Sequence, residues 1–170
     1  MTYSNKLLFV FVFCFLTSSL HAEDGYRLWL RYDKIDDAGL LQEYNKKITS
    51  IKVAGASLIF STAKEELING LTGLLGKKIN EQHTIGDGTI LIGTAADATI
   101  QSLISSEEFD KTGNEGFIIR SVTANGKKIM VIAGNTGVGA LYGCFHFLRL
   151  LQTHQSIQQI SVLSAPSIQL

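Results

Sequence analysis

The chain has 170 residues and contains very little proline or cysteine, with one proline and two cysteines. Its 15 basic and 15 acidic residues cancel, so its formal net charge is zero. A neutral chain lacks the basic stripe that binds nucleic acid, and it has no long-range attraction to acidic membranes. High net charge and low hydrophobicity are both missing, which argues against disorder over most of the chain.

One stretch near the start is strongly apolar, but it is shorter than the roughly 20 residues of a comfortable bilayer span. Lys6 precedes an apolar run from Leu7 to Leu16, and small polar residues then lead to Ala22. This order of a basic start, an apolar core and a small cleavage residue predicts a signal peptide over residues 1–22. We therefore expect export to a secreted or periplasmic location, without a membrane partner after cleavage.

Signal cleavage would remove Cys14 and leave Cys144 as the one cysteine of the mature chain. No internal disulfide is then possible, so the fold must depend on its hydrophobic core. Residues 23–170 are long enough for one such domain, because a chain of about 150 residues buries roughly 68–70% of its unfolded surface.

Hydrophobic periodicity predicts alternating strands and helices in residues 23–170. Strands are predicted at 26–32, 48–53, 89–93, 116–122, 128–133 and 159–163, and helices at about 36–47, 62–75, 97–104 and 138–154. Thr62 and Glu65 match a capping box that would begin the second helix, and Gly76 would end it. Asn125-Gly126 predicts a hairpin. Because a hairpin interrupts the alternation, we expect a two-layer α/β domain with a mixed β-sheet packed by helices.

The segment Gly134–Gly139 lies between a predicted strand and a predicted helix, where phosphate-binding loops occur. Its spacing matches neither G-x-G-x-x-G nor G-x-x-x-x-G-K-[ST], and no lysine follows to contact a phosphate. A tight strand-to-helix turn, with glycines that allow close packing, is the better interpretation.

Acidic and nucleophilic side chains give no convincing active site. A glycosidase requires two carboxylates held across the sugar bond. The candidates here are Glu65, Glu66, Glu107, Glu108 and Asp110. Roles as helix caps or as solvated side chains on helix faces explain these residues better. Among the histidines that remain after signal cleavage, His83 is in a predicted loop, and His146 and His154 are about 12 Å apart on one helix, too far for one metal ion. Cys144 fits a small core residue. We therefore expect no catalytic, cofactor-binding or metal-binding residue.

Aromatic residues near the start of the mature chain are a possible sugar-stacking strip. Tyr26 and Tyr32 share one face of the predicted strand, and Trp29 lies on the opposite face. Burial of the tryptophan with tyrosines at the surface is the commoner outcome.

Several segments resemble the N-terminal domain of family 67 α-glucuronidases, which are xylan-degrading glycoside hydrolases. Gly25-Tyr26-Arg27-Leu28-Trp29-Leu30-Arg31-Tyr32-Asp33 is similar to the opening of that family, and the similarity continues in residues 65–76, 92–94, 115–119 and 134–143. The last segment is also shared with the N-terminal domains of hexosaminidases. The Leu-Trp-Leu-Arg-Tyr opening is what indicates α-glucuronidases.

The resemblance implies an enzyme that removes 4-O-methylglucuronic acid from xylo-oligosaccharides with inversion. In that family the catalytic residues lie on a (β/α)₈ barrel that follows this domain, and no position here matches them. We therefore expect a non-catalytic domain, a fragment of the enzyme, that would dock on such a barrel and leave an apolar patch exposed without it. The alternatives are a free-standing exported module that binds carbohydrate or protein, and the equivalent domain of a hexosaminidase-like enzyme.

Overall fold

The computed structural model describes residues 31–166. The signal peptide predicted over residues 1–22 lies outside the described residues, as does most of the strand predicted over residues 26–32. The described residues from Tyr32 onward belong to one compact unit.

The described part of the chain contains five helices and six strands. The helices are α1 (Ala38–Lys47), α2 (Leu58–Leu75), α3 (Ala98–Gln101), α4 (Ser106–Asp110) and α5 (Gly137–Gln152). The strands are β1 (Ser50–Val53), β2 (Asn80–Glu81), β3 (Thr89–Thr94), β4 (Phe117–Ala124), β5 (Lys127–Gly134) and β6 (Ser161–Ser164).

The strands form one mixed sheet in the order β2-β1-β3-β5-β4-β6. The four strands from β2 to β5 in this order are parallel, whereas β4 runs antiparallel to both β5 and β6. The hairpin between β4 and β5 turns at Asn125 and Gly126, whose φ angles are 49° and 75°. These left-handed angles suit asparagine and glycine, and the predicted hairpin is confirmed.

Strands β3 and β5 lie in the middle of the sheet, and apolar residues cover both of their faces. Ile90 and Ile92 of β3 belong to the larger hydrophobic core, while Leu91 between them belongs to a smaller core on the other face. All three side chains are fully buried. A strand that has no solvent face needs no polar alternation, which explains the continuous apolar run in the sequence.

Helices α2 and α5 pack against each other over the larger core. Gly70 marks their closest approach, since a Cβ atom added there would lie 2.6 Å from Cδ2 of Leu148. Leu67 of α2 and Phe147 of α5 are completely buried between the helices and the sheet. The two long helices therefore form the main layer opposite the sheet.

Helix α2 begins four residues earlier than the sequence predicted. Ser57 is the N-cap residue, with extended backbone angles, and Leu58 is the first helical residue. The hydroxyl of Thr62 donates to the Leu58 carbonyl at 3.2 Å within the helix, so the predicted capping box of Thr62 and Glu65 is wrong. The predicted end at Gly76 is confirmed, because this residue takes the left-handed conformation, with φ of 63°.

Side chains form hydrogen bonds with free backbone groups at both ends of helix α1. Asp37 accepts a hydrogen bond from the backbone N–H of Leu40 at 2.9 Å. At the other end, Lys77 Nζ donates to the carbonyls of Asn45 and Ile48, each at 2.8 Å. Burial lowers the pKa of the Lys77 ammonium, and these two carbonyl contacts compensate in part for its lost hydration.

The smaller core covers the other face of the sheet. Ile100 and Ile104, around α3, and Phe109 of α4 pack against Leu91 and Val131. The helices on this face have four and five residues, whereas α2 and α5 have 18 and 16. The two faces are therefore covered unequally.

The predicted fold class is confirmed, since an α/β domain with a mixed β-sheet packed by helices is observed. The region between residues 77 and 88 is mostly loop, as predicted, but it also contains the two-residue edge strand β2. None of the helices within residues 31–166 has the length and apolarity that a bilayer span requires.

We predict that Gly139→Ala destabilises the domain by about 1–3 kcal/mol, as overpacking does in well-packed cores. A Cβ atom at this position would lie 2.3 Å from the Gly116 carbonyl oxygen, and this backbone atom cannot rotate away as a side chain can. The free energy of unfolding is measured in urea. Gly39→Ala in exposed α1 is the matched control and should change stability by less than about 1 kcal/mol. Equal effects of the two changes would contradict the packing explanation.

Candidate functional site

The segment Gly134–Gly139 forms a closely packed turn from β5 into α5. Thr136 is the N-cap residue of α5, and its hydroxyl oxygen accepts from the N–H of Gly139 at 3.3 Å. A Cβ atom added to Gly134 would lie 2.7 Å from the backbone nitrogen of Ala140. The glycines allow this close approach, in agreement with the packing interpretation drawn from the sequence.

Asn135 in this turn ties α5 to the segment that follows α4. Its side-chain amide donates to the carbonyls of Phe109 and Gly113, at 2.7 and 2.9 Å. The hydroxyl of Thr136 donates to the Asn114 carbonyl at 2.6 Å. The polar groups of the turn are thus used within the domain.

The candidate carboxylates do not form a pair that could act across a sugar bond. Glu65, Glu107 and Asp110 are exposed on their helices. Glu108 is held by Arg120, whose guanidinium lies 2.5 Å from its carboxylate, and by the N–H and hydroxyl of Ser105 at 3.3 and 3.1 Å. The hydrogen bond from Arg120 is the main reason that the pKa of Glu108 falls to about 2. Glu108 thus caps α4 and joins it to β4.

The histidines and the cysteine are likewise separate. His83 is exposed in a loop, and His154 Nε2 lies 4.0 Å from Asp36. The ring of His146 lies 5.2 Å from that of Phe117, and burial is the main cause that lowers its pKa. Cys144 is fully buried, which raises its pKa to about 12. Residues 31–166 contain no group of three potential metal ligands.

Of the aromatic residues near the start of the mature chain, Tyr26 and Trp29 lie outside the described residues. Tyr32 is partly buried beside Gly73, where an added Cβ atom would lie 2.5 Å from the Tyr32 carbonyl oxygen. Burial of Trp29 with tyrosines at the surface, the favoured alternative to a sugar-stacking strip, therefore stays a prediction.

A groove of about 500 Å³ lies where the parallel strands begin, and the sequence did not predict it. The residues that line it come from the end of α1, the loop before β3, the β4–β5 hairpin and the loop before β6. They are Lys46, Lys47, Asp87, Gly88, Ser121, Val122, Thr123, Lys128, Ile129, Met130, Ile157, Gln158 and Gln159. This volume is within the range of small-molecule sites, about 300–1,000 Å³.

The groove has an excess of positive charge. Asp87 is its acidic side chain, and it is already used, since it accepts from the backbone N–H of Lys128 at 2.9 Å and pairs with Lys127 at 3.6 Å. The backbone hydrogen bond from Lys128 is the main cause that lowers the pKa of Asp87. Within the described residues, no carboxylate lies at ion-pair distance from Lys46, Lys47 or the ammonium of Lys128.

Comparison with known proteins decides the family. Residues 28–147 match the family model described as "Glycosyl hydrolase family 67 N-terminus". This chain belongs to that family. The resemblance noted in the sequence is thereby confirmed, and the match favours family 67 over the hexosaminidase alternative.

Curated relatives of this family 67 chain carry α-glucuronidase names. It is 29% identical over 145 residues to "Probable alpha-glucuronidase A" of Aspergillus oryzae. The aligned region covers 84% of this chain and 17% of the relative. It is 28% identical over 153 residues to "Alpha-glucuronidase A" of Emericella nidulans, with 86% and 17% covered. The chain therefore spans about 17% of the length of these relatives.

Among solved structures, a "GH138 enzyme targeting pectin rhamnogalacturonan II" has a similar fold. The superposition covers 72% of this chain and 12% of that one, with a TM-score of 0.51 and 21% sequence identity. At this identity the likeness concerns the fold of the domain alone.

We predict that Glu108 stabilises the fold of the family 67 domain at neutral pH and loses this effect in acid. Its pKa is about 2 when folded, against an ordinary value of 4.5, so its contribution is complete above about pH 5 and declines as the pH falls towards 2. Glu108→Gln should cost about 1 kcal/mol at pH 7, from the loss of the partly exposed ion pair with Arg120, and much less at pH 3. The glutamine can still accept from the N–H of Ser105, as in a capping box.

The measurement is the free energy of unfolding in urea at pH 7, 5 and 3. Glu107→Gln is the matched control, because Glu107 is exposed and adjacent in sequence. A cost for Glu108→Gln that stays constant from pH 7 to pH 3 would contradict the assignment.

Proposed function

We propose that this chain is the non-catalytic N-terminal domain of an exported α-glucuronidase that removes 4-O-methylglucuronic acid from xylo-oligosaccharides. The match of residues 28–147 to the family 67 N-terminus carries the proposal. The relatives are named α-glucuronidases, and this chain corresponds to 17% of their length. Export rests on the signal peptide predicted over residues 1–22.

The chemistry of the described residues supports a non-catalytic role. Hydrolysis of a glycosidic bond needs two carboxyl groups about 5–10 Å apart on opposite sides of the bond. Here Glu108 is committed to Arg120 and Ser105. Glu65 on α2 and Glu107 and Asp110 on α4 are exposed, and Glu66 on α2 is half-buried. Activity is therefore assigned to the part of the enzyme outside this domain.

An exposed apolar surface gives the catalytic domain a place to dock. Leu58, the first residue of α2, has 82% of its surface exposed, and Ile59 has 36%. Ile59 lies beside the start of α5, since a Cβ atom added to Gly137 would be 3.4 Å from its Cγ2 atom. Exposed apolar residues are common singly, but two adjacent ones in the first turn of α2, beside the start of α5, are suited to a protein contact.

The path of the chain is consistent with docking at this edge. The carbonyl oxygen of Ser164, the last residue of β6, lies 2.3 Å from the position of a Cβ atom on Gly116. Gly116 in turn contacts Gly139 in the first turn of α5. Ala165 and Pro166, which follow β6, therefore leave the sheet on the edge where α2 and α5 begin, and this edge also carries Leu58 and Ile59. We assign this surface to the catalytic barrel of the enzyme.

We predict that the chain alone releases no 4-O-methylglucuronic acid from substituted xylotriose. A chimera in which residues 24–166 replace the matching part of the Emericella nidulans relative should release it. In the chimera, Leu58→Glu should lower activity about tenfold, which corresponds to the loss of roughly one leucine burial. Released uronic acid is measured by chromatography.

Gln42→Glu on exposed α1 is the control, because it adds the same charge away from the apolar surface. Leu58→Glu should not weaken the domain itself, since a negative charge is favourable in the first turn of a helix. Release of uronic acid by the chain alone would overturn the non-catalytic assignment. Equal activity of the two charge variants would overturn the docking assignment.

A further inference from the structure

We propose that the groove at the beginning of the parallel strands is a binding site for an acidic oligosaccharide. Its lysines would hold the carboxylate of a uronic acid, and its hydroxyl and amide side chains would bind the neighbouring sugar hydroxyls. The choice of a xylan-derived saccharide rests on the proposed function. The anionic, hydroxyl-rich character of the ligand rests on the groove.

The positive charge of the groove is available to a ligand. Lys46 and Lys47 are in the last turn of α1. Basic residues in a last turn often interact favourably with the free carbonyl groups and the negative end of the helix dipole. Here the carbonyls at this end already accept hydrogen bonds from Lys77 Nζ. Lys46 and Lys47 are therefore not needed as caps, and the third lysine that lines the groove, Lys128, comes from β5.

The remaining polar lining matches the groups of a sugar. Ser121 and Thr123 alternate along β4, so they lie on the same face of this strand, and Gln158 and Gln159 come from the loop before β6. Hydroxyl and amide groups can both donate and accept, as binding of a sugar hydroxyl requires. The carboxylates of an acidic peptide would use the lysines but only accept hydrogen bonds, whereas each sugar hydroxyl can use both the donor and the acceptor capacity of these groups.

The apolar part of the groove is aliphatic. The apolar residues among its lining are Val122, Ile129, Met130 and Ile157, and none of the lining residues is aromatic. Met130 and Ile157 belong to the larger core, which lies on the same face of the sheet as α1, whereas Val122 and Ile129 belong to the smaller core. Stacking of a sugar ring on an aromatic side chain is thus not available at the groove. We expect weak binding, with a dissociation constant on the order of 1 mM, as suits a site that retains a substrate chain near an enzyme.

The test is a titration of the full chain, observed through backbone amide NMR shifts. The probe is xylotriose that carries one 4-O-methylglucuronic acid, and unsubstituted xylotriose is the neutral comparison. The proposal expects saturable shifts at Gly88, Thr123, Met130 and Gln159 with the acidic saccharide, and at least about tenfold weaker binding of the neutral one. Added salt should weaken binding of the acidic saccharide, because these charges are exposed.

The variant Lys47→Gln/Lys128→Gln should weaken binding about tenfold, as expected when one ion pair at half-buried Lys47 and one at exposed Lys128 are lost. Lys78→Gln/Lys111→Gln removes the same charge from exposed positions outside the groove and should bind normally. If the first variant fails to fold, Lys46→Gln at an exposed position replaces it, with an expected loss of about twofold to fivefold.

Equal binding of the acidic and neutral saccharides would overturn the proposal. NMR shifts confined to amides outside the groove would also overturn it, as would an equal loss of affinity in the variant Lys78→Gln/Lys111→Gln. Tighter binding of a tetraglutamate peptide at the same amides would instead assign the groove to protein contact. The titration needs no catalytic domain, so its result is independent of whether the chimera described above is active.

Discussion

The parallel pairing of β3 with β5 is the contact on which the rest of the domain depends. The pairing runs from Ile90 opposite Met130 to Thr94 opposite Gly134, in the middle of the sheet. Its side chains alternate between the larger core below α2 and α5 and the smaller core on the other face. Both cores therefore require this register, since a shift by one residue would exchange every side chain between the two faces.

The same pairing creates the two surfaces to which we assign functions. The beginnings of β1, β3 and β5 bring lysines from α1 and β5 to the groove, although Lys47 and Lys128 are 81 positions apart in the sequence. At their other ends, β1 leads into α2, whose first turn carries the exposed Leu58 and Ile59, and β5 leads into α5, which begins beside Ile59. The end of the sheet at which the parallel strands begin thus carries charged and hydroxyl groups, and the end at which they finish carries the apolar surface.

The sequence predicted the fold class and most elements because their signals are local. The apolar run of β3, the Asn125-Gly126 turn and the stop at Gly76 each report nearby backbone geometry. The start of α2 was missed because Thr62 and Glu65 imitate a capping box, whereas Ser57 gives no such pattern. The ion pair of Glu108 with Arg120 and the groove could not be predicted, because strand order brings together residues that no spacing relates.

Native-state hydrogen exchange tests the central place of the β3–β5 pairing most directly. We expect the amides of β3 and β5 to exchange only through global unfolding, so that their protection equals the free energy of unfolding measured in urea. Amides in α3 and α4 should exchange through local opening at lower free energy, because these short helices cover the smaller core. If β3 and β5 exchanged more readily than α3 and α4, the pairing would not be the constraint that holds the domain together.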